Sequence, residues 1–413
     1  MSSLGHEPSP DRIAADIEAI ASFSETDPAI GYSRPTFSAP WAAARDYVVR
    51  EAEKVGAVSS IDPAGNVHIR RPEHADASSV WLSGSHVDSV PSGGRYDGVM
   101  GVVIPLEILR VYPELPLELV IFAEEEGTTF GLGMLGSRSW VGELRSADLA
   151  QVKNKGGLSY LEAGAPYGVD PAAIDRWRID PSRYRGLVEV HAEQGRSLWD
   201  SGGRVAAVRL INGRRQYEVD VQGQENHAGS TAMPGRRDAL AGAAEMVGAV
   251  ESLAGELGGS TVLTVGSLHV EPNAVNVIPG RSKFTIDFRA PEAEILSRGD
   301  RLIGERIAAI AKRRSLTQTL RESERIEPMP LDDTIVEALC DAARSIDAPI
   351  EAVTSGALPD AAILAPLVPT AMLFVASRDG ISHNPEEFSR TEDIALAARI
   401  LACAIERDTE TAR

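Results

Sequence analysis

The run GSHVDSVPSGGRYDG, residues 84–98, sets His86, Asp88 and Asp97 behind an apolar stretch. An imidazole and carboxylates at such short range are the donor types that hold zinc- or manganese-class divalent cations. Asp88 follows His86 by two residues, so on an extended chain it lies on the same side. There a carboxylate accepts the second imidazole N–H and holds the ring for a metal. Glu124, Glu125 and Glu126 end the next apolar run. Three adjacent carboxylates repel one another unless a cation or a proton intervenes. VEVHAEQG then brings His191, with Glu193 two residues later, and GISHNPEE brings His383. Singly, each has an ordinary explanation: a lone histidine is usually structural, and a glutamate triplet often opens a solvated helix. Together they supply three histidines and two or three carboxylates on loops after apolar runs. That mix suits a pair of divalent ions bridged by one carboxylate, the equipment of metal-assisted hydrolysis.

The elements that must position these groups follow from periodicity. Residues 11–22 and 41–55 show helical spacing of apolar positions. VWLSGSHVDS (80–89) predicts a strand running into a loop, and GVMGVVIPLEILRVY (98–112) a helix with Asp97 as its N-cap. LELVIFA (117–123) predicts a strand covered on both faces. Strand, helix, strand in this order predicts a parallel βαβ unit, whose ligand chemistry gathers beyond the strand C-termini. The pattern changes near residue 212. INGRRQYEVDV predicts an Asn-Gly turn followed by a half-exposed antiparallel strand. Helices over 238–257 and 294–315 and strands over TVLTVGSLHV and RSKFTIDFRA complete a compact insert. After EPMP the α/β pattern resumes, with a buried strand at 369–377 and a final helix at 391–406. The expected fold is therefore α/β. A catalytic domain, 1–211 and 329–413, with a mostly parallel central sheet flanked by helices, is interrupted by a smaller α+β domain, 212–328.

The chain has 413 residues, 43% of them apolar and 24% charged, which is ordinary globular usage. A formal net charge of −19 argues against nucleic acid or an anionic membrane surface as a partner. Cys340 and Cys403 are far apart and show no CxxC spacing, as buried thiols in a reducing compartment would be. The first twenty residues lack a basic segment followed by an apolar one, so no secretory signal is expected. No apolar run approaches the ~18 residues of a spanning helix. These features point to a cytoplasmic protein.

GSHVDSVPSGGRYDGVMGV, FAEEEGTTFGLGMLGSR, VHAEQG, NHAGSTAMPGRRDA, EPNAVNVIPG, DFR and SHNPEE occur in an order that resembles the hydantoinase/carbamoylase branch of the M20 metallopeptidase-like amidohydrolases. That group includes N-carbamoyl-L-amino-acid hydrolases, β-ureidopropionases and allantoate amidohydrolases. The resemblance implies that His86, Asp97, Glu126, His191 and His383 bind two divalent ions (manganese, zinc, cobalt or nickel), with Asp97 between them. It makes Glu125 the general base toward metal-activated water and Asp88 the group that orients His86. It further implies a homodimer, in which His227 of the insert reaches the partner's active site and stabilises the tetrahedral oxyanion. Gln194, Asn276 and Arg289 would contact the substrate, the last two through its carboxylate. The insert would thus serve as a dimerisation and lid domain.

Two positions depart from the family pattern. Its usual GAGHDA segment is here GALPDA, so a Gly-His pair has become Leu358-Pro359, and Thr129 stands where arginine is common. The leading expectation is hydrolysis of the C–N bond in an N-carbamoyl amino acid or related ureido acid. The alternatives are an N-acyl or N-formyl amino acid amidohydrolase or a small-peptide peptidase with the same metal site, and, more remotely, a non-catalytic binding protein with a decayed site.

Overall fold

A computed structural model describes residues 7–74 and 79–411; residues 1–6, part of the segment read above for a signal, lie outside the described residues. The chain divides into two compact units, Met1–Arg209 with Leu331–Arg413, and Leu210–Pro330. No helix among the described residues is long and apolar enough to cross a membrane.

The first unit contains strands β1 (Val58–Ile61), β2 (Val67–Arg70), β3 (Val80–His86), β4 (Leu117–Phe122), β5 (Tyr184–Ala192) and β6 (Val205–Ile211), whose last two residues pass into the second unit. The second unit supplies β7 (Gly213–Gln222), β8 (Asn226–His227), β9 (Val262–Thr264), β10 (Leu268–Glu271), β11 (Val277–Ile278), β12 (Arg281–Ala290), β13 (Thr317–Ile326) and β14 (Met329–Pro330). The chain then returns to the first unit with β15 (Ala352–Ser355) and β16 (Thr370–Val375).

The large sheet runs β1-β2-β4-β3-β5-β16-β6. Its four middle strands, β4, β3, β5 and β16, are parallel, while the pairs outside them, β1–β2, β2–β4 and β16–β6, are antiparallel. All residues of β3, β4 and β16 are buried. That burial explains the near-continuous apolar runs of β4 and β16, because helices cover both faces of such strands. Val99–Val111 is the crossover helix between β3 and β4, and it packs against β3, β4, β5 and the helices Pro10–Ser22 and Thr391–Thr411. It is apolar on nearly every side because it is buried from Val99 to Leu109, and its one buried charge, Glu107, is paired with Arg12. Each of its large side chains, such as Ile104 or Leu106, contributes about 1.5–3 kcal/mol on leaving water.

The second unit holds an antiparallel sheet, β10-β12-β7-β13, with β9 also on β12. Burial alternates along β7 and β12, so one face packs on the helices Ala239–Leu257 and Ala293–Arg313 around Val219, Met246, Phe284, Phe288 and Ile303.

Three local expectations are corrected. Asn212-Gly213 makes no turn: one residue separates β6 from β7, and Gly213 already pairs with Ala290, so the ladder holds the backbone extended. TVLTVGSLHV is two short strands on the same edge of β12, and in the break between them Ser267 O accepts from Thr285 N. Asp97 does not cap the helix that follows. The cap position is Gly98, at φ 66°, which has no side chain to cap with, and the Asp97 carboxylate is engaged with imidazoles instead.

Candidate active site

The groups singled out in the first unit collect at the C-terminal ends of the four middle strands. His86 is the last residue of β3, Glu124–Glu126 follow β4, His191 is the penultimate residue of β5, and His383 lies in the loop after β16. Asp97 sits in the loop between β3 and its helix. Parallel strands end together, so residues distant in the chain meet there.

Asp97 is the hub. Its Oδ1 lies 3.1 Å from His191 Nε2 and 3.9 Å from His86 Nε2, and its Oδ2 lies 3.1 Å from His383 Nε2. Glu126 Oε2 is 3.6 Å from His383 Nε2. Two groups result, His86–Asp97–His191 and Asp97–Glu126–His383, each with its candidate ligand atoms within 4.8 Å of one another. Glu125 belongs to neither group, yet its Oε2 is 3.7 Å from His86 Nε2.

The imidazoles are oriented by main-chain carbonyls. His86 Nδ1–H donates to Asp88 O at 2.9 Å, and His191 Nδ1–H to Ala192 O at 3.0 Å. The Nδ1–H is thereby fixed in each ring, and both Nε2 atoms point at Asp97. Asp88 therefore orients His86 otherwise than its side-chain type suggested. Its carboxylate is 3.7 Å from the ring and instead accepts the N–H groups of Glu125 (3.4 Å) and Glu126 (3.2 Å). Adjacent backbone donors after β4 offer that carboxylate better-aligned partners than the ring.

Burial dominates the electrostatics. It lowers His86 to about 4, so Nε2 carries a lone pair that faces carboxylate oxygens and has no hydrogen-bond partner. Burial also opposes ionisation of Asp97, but His191 and His383 overcome it and hold this carboxyl well below the ordinary range. In return, Asp97 outweighs the burial of His191 and raises it to about 10. Burial, then the charge of Asp97, pushes Glu126 up to about 8; burial, then Glu126, Asp360 and Asp97, raises Glu125 well above a normal carboxyl. Glu126 Oε1 is buried without a partner. Lone pairs aimed at lone pairs, in a crowd of carboxylates out of water, are the donor set that divalent cations satisfy. The residues fit two such ions.

The backbone is shaped around this cluster. Glu124, Gln194 and His383 adopt positive φ of 57°, 55° and 54°, conformations that cost non-glycine residues of order 1–3 kcal/mol each and concentrate at functional sites. A Cβ at Gly98 would come within 2.5 Å of the His86 ring. Gln194 Nε2 donates to Asp97 Oδ2 and to Ser382 Oγ, both at 3.0 Å, so in this conformation it holds the hub carboxylate. Thr129 Oγ1 accepts from Thr36 N, and Thr129 N donates to Glu124, which places it in loop packing. Pro359 is buried and precedes the helix Asp360–Leu364.

Sequence reasoning gave no role to two buried carboxylates beneath the histidines. Glu189 accepts from Ser85 Oγ and Ala361 N, and Asp360 accepts from Ser137 Oγ. The signal for Glu189 was a charged residue inside the apolar run of β5.

In the second unit, His227 on β8 pairs with Val277 on β11, and Ala228 N donates to Asn276 O, which keeps His227 and Asn276 together. His227 Nδ1 accepts from the N–H groups of Gly229 (3.0 Å) and Ser230 (3.2 Å). Its proton is thus on Nε2, the exposed side of the ring is a donor, and Arg236 pins the turn through Ala228 O and Thr231 O. Arg289 makes a two-point ion pair with Asp287 on the same strand, 2.7 and 3.2 Å.

Known proteins match this chain in sequence and fold. Residues 82–407 match peptidase family M20/M25/M40. The chain is 36% identical over 380 residues to an N-carbamoyl-L-amino acid amidohydrolase of Geobacillus stearothermophilus, covering 91% of this chain and 92% of that one. It is 33% identical to an allantoate amidohydrolase of Bacillus subtilis, covering 90% and 91% respectively. The crystal structure of a hydantoinase/carbamoylase family amidase from Burkholderia multivorans superposes with a TM-score of 0.89 at 34% identity, covering 98% of each chain. Sequence and fold agree: this chain belongs to peptidase family M20/M25/M40, within its hydantoinase/carbamoylase branch.

Proposed function

We propose that this enzyme is a dimeric two-metal hydrolase that cleaves the C–N bond of an N-carbamoyl amino acid or a related ureido acid. Its named relatives include amidohydrolases of N-carbamoyl amino acids and of allantoate and a ureidoglycolate hydrolase, all acting on small acids that carry a ureido group. The observation that carries the reading is Asp97, whose two oxygens face imidazoles of two different ligand groups.

His86, Asp97 and His191 would hold one divalent cation, and Asp97, Glu126 and His383 the other. Bound there, the cations would polarise the substrate carbonyl and lower the pKa of an attacking water. Glu125, outside both groups and 3.7 Å from His86 Nε2, would take a proton from that water and return it to the leaving nitrogen. His227, with its Nε2–H outward, would reach the partner's site and donate to the developing oxyanion. Asn276 and Arg289 would hold the substrate carboxylate, Arg289 exchanging its two-point pair with Asp287 for two parallel hydrogen bonds to the substrate.

The test is a substrate panel on purified, manganese-loaded protein: allantoate, N-carbamoyl-β-alanine, and N-carbamoyl and N-acetyl L-amino acids. Ammonia from a carbamoyl substrate is the expected result. Amine release from acetyl substrates alone would replace the proposal with an N-acyl amidohydrolase, the reading that Leu358-Pro359 favours. Bound metal without turnover on any of them would leave a binding protein.

A further inference from the structure

We infer that Glu387 is the positioning residue that aims Asp97 between the two cation sites, an assignment that rests on the metal reading above. Glu387 lies four residues beyond His383 and is 4% exposed. Its Oε2 accepts the main-chain N–H of Tyr96 at 2.8 Å and of Asp97 itself at 3.1 Å. Its Oε1 accepts from Ser382 Oγ at 2.9 Å. That hydroxyl oxygen also accepts from Gln194 Nε2, the nitrogen that donates to Asp97 Oδ2. One carboxylate therefore grips Asp97 twice, directly by its backbone and through Ser382 and Gln194 by its side chain.

The connection joins the loop after β3 to the loop after β16, which carry Asp97 and His383 respectively. The same two loops also meet through the Tyr96 and Phe388 rings, 6.0 Å apart, and through His383 and Asp97. The loop after β3 leaves a seat for the glutamate, since a Cβ at Gly94 would fall 2.1 Å from Glu387 Oε2. Hydrogen-bonded residues behind metal ligands set ligand orientation, and losing them typically costs about 10–100-fold in metal affinity. Glu387 bonds to the main chain of Tyr96 and Asp97 and to the Ser382 hydroxyl, so it acts through Asp97.

Calorimetric titration of Co²⁺ into the wild type, Glu387→Gln and Glu387→Ala tests this, with the visible absorption of the bound Co²⁺ recorded in each. Glu387→Ala should weaken Co²⁺ about 10–100-fold and shift the absorption bands, while thermal melting shows a folded protein. Glu387→Gln, which keeps an oxygen for the two N–H groups, should rescue most of the affinity and the wild-type spectrum. Should Glu387→Ala not fold, Ser382→Ala carries the test, with a smaller loss and the same spectral shift. Wild-type affinity and spectrum in the folded alanine variant would overturn the assignment. A wild-type chain that binds no Co²⁺ would instead bring down the metal reading, and this inference with it.

Discussion

His86 Nε2 and Asp97 Oδ1 face each other across 3.9 Å, each presenting a lone pair to the other. The His86 ring cannot turn its N–H inward, because Nδ1–H is engaged with Asp88 O. A cation between them would turn the repulsion into ligation. Because Asp97 is shared, Asp97→Ala should lose both bound ions, His86→Ala one, and His383→Ala the other. Metal analysis after dialysis of each purified variant measures this. Two ions retained by Asp97→Ala would rule out the shared site.

Glu125 has no place in either ligand group, so Glu125→Gln should keep both metals and the fold. Loss of the general base should lower kcat by about 10²–10⁴-fold. Steady-state kinetics beside metal analysis provide the check, and an unchanged kcat would remove Glu125 from the chemistry.

His227→Ala should lower kcat by roughly 10²–10³-fold, the range for one oxyanion donor, with metal content unchanged. If His227 serves the partner's site, mixing inactive His227→Ala and Glu125→Gln subunits should restore activity. In the mixed dimer one site keeps an intact Glu125 and receives an intact His227. No recovery after subunit exchange would place His227 in its own chain's site.

A third buried histidine makes stability depend on pH. His68 lies between Glu118 (3.0 Å) and Asp62 (3.5 Å), and although burial works against its charge, these carboxylates raise it to about 9. The unfolded value is about 6.5. The folded state therefore binds the proton more tightly, and the stabilisation is complete below about pH 6.5 and lost as pH rises toward 9. Its size is on the order of a few kcal/mol. Melting temperature should fall from pH 6.5 to 9 more steeply in the wild type than in His68→Gln. Parallel curves would refute the linkage.

The amino-acid order alone determined the elements. The almost wholly apolar run at 117–122 had to be a strand covered on both faces, and the helix before it had to be the crossover that sets it parallel to the strand at 80–86. Apolar burial acts on every residue of such runs, so the pattern survives tertiary packing. The family motifs likewise marked which side chains to watch. Tertiary structure decided how those side chains are used. Asp97 satisfied the local rule for a helix cap, but His191 and His383, arriving from the ends of β5 and β16, take the same carboxylate. Asp88 and Gln194 were legible as polar residues in the right loops, yet their partners, the Glu125 and Glu126 N–H groups and Asp97 Oδ2, lie far along the chain. A hydrogen bond depends on sub-ångström placement of both groups, and that placement is set by how parallel strands end together, which no local spacing encodes.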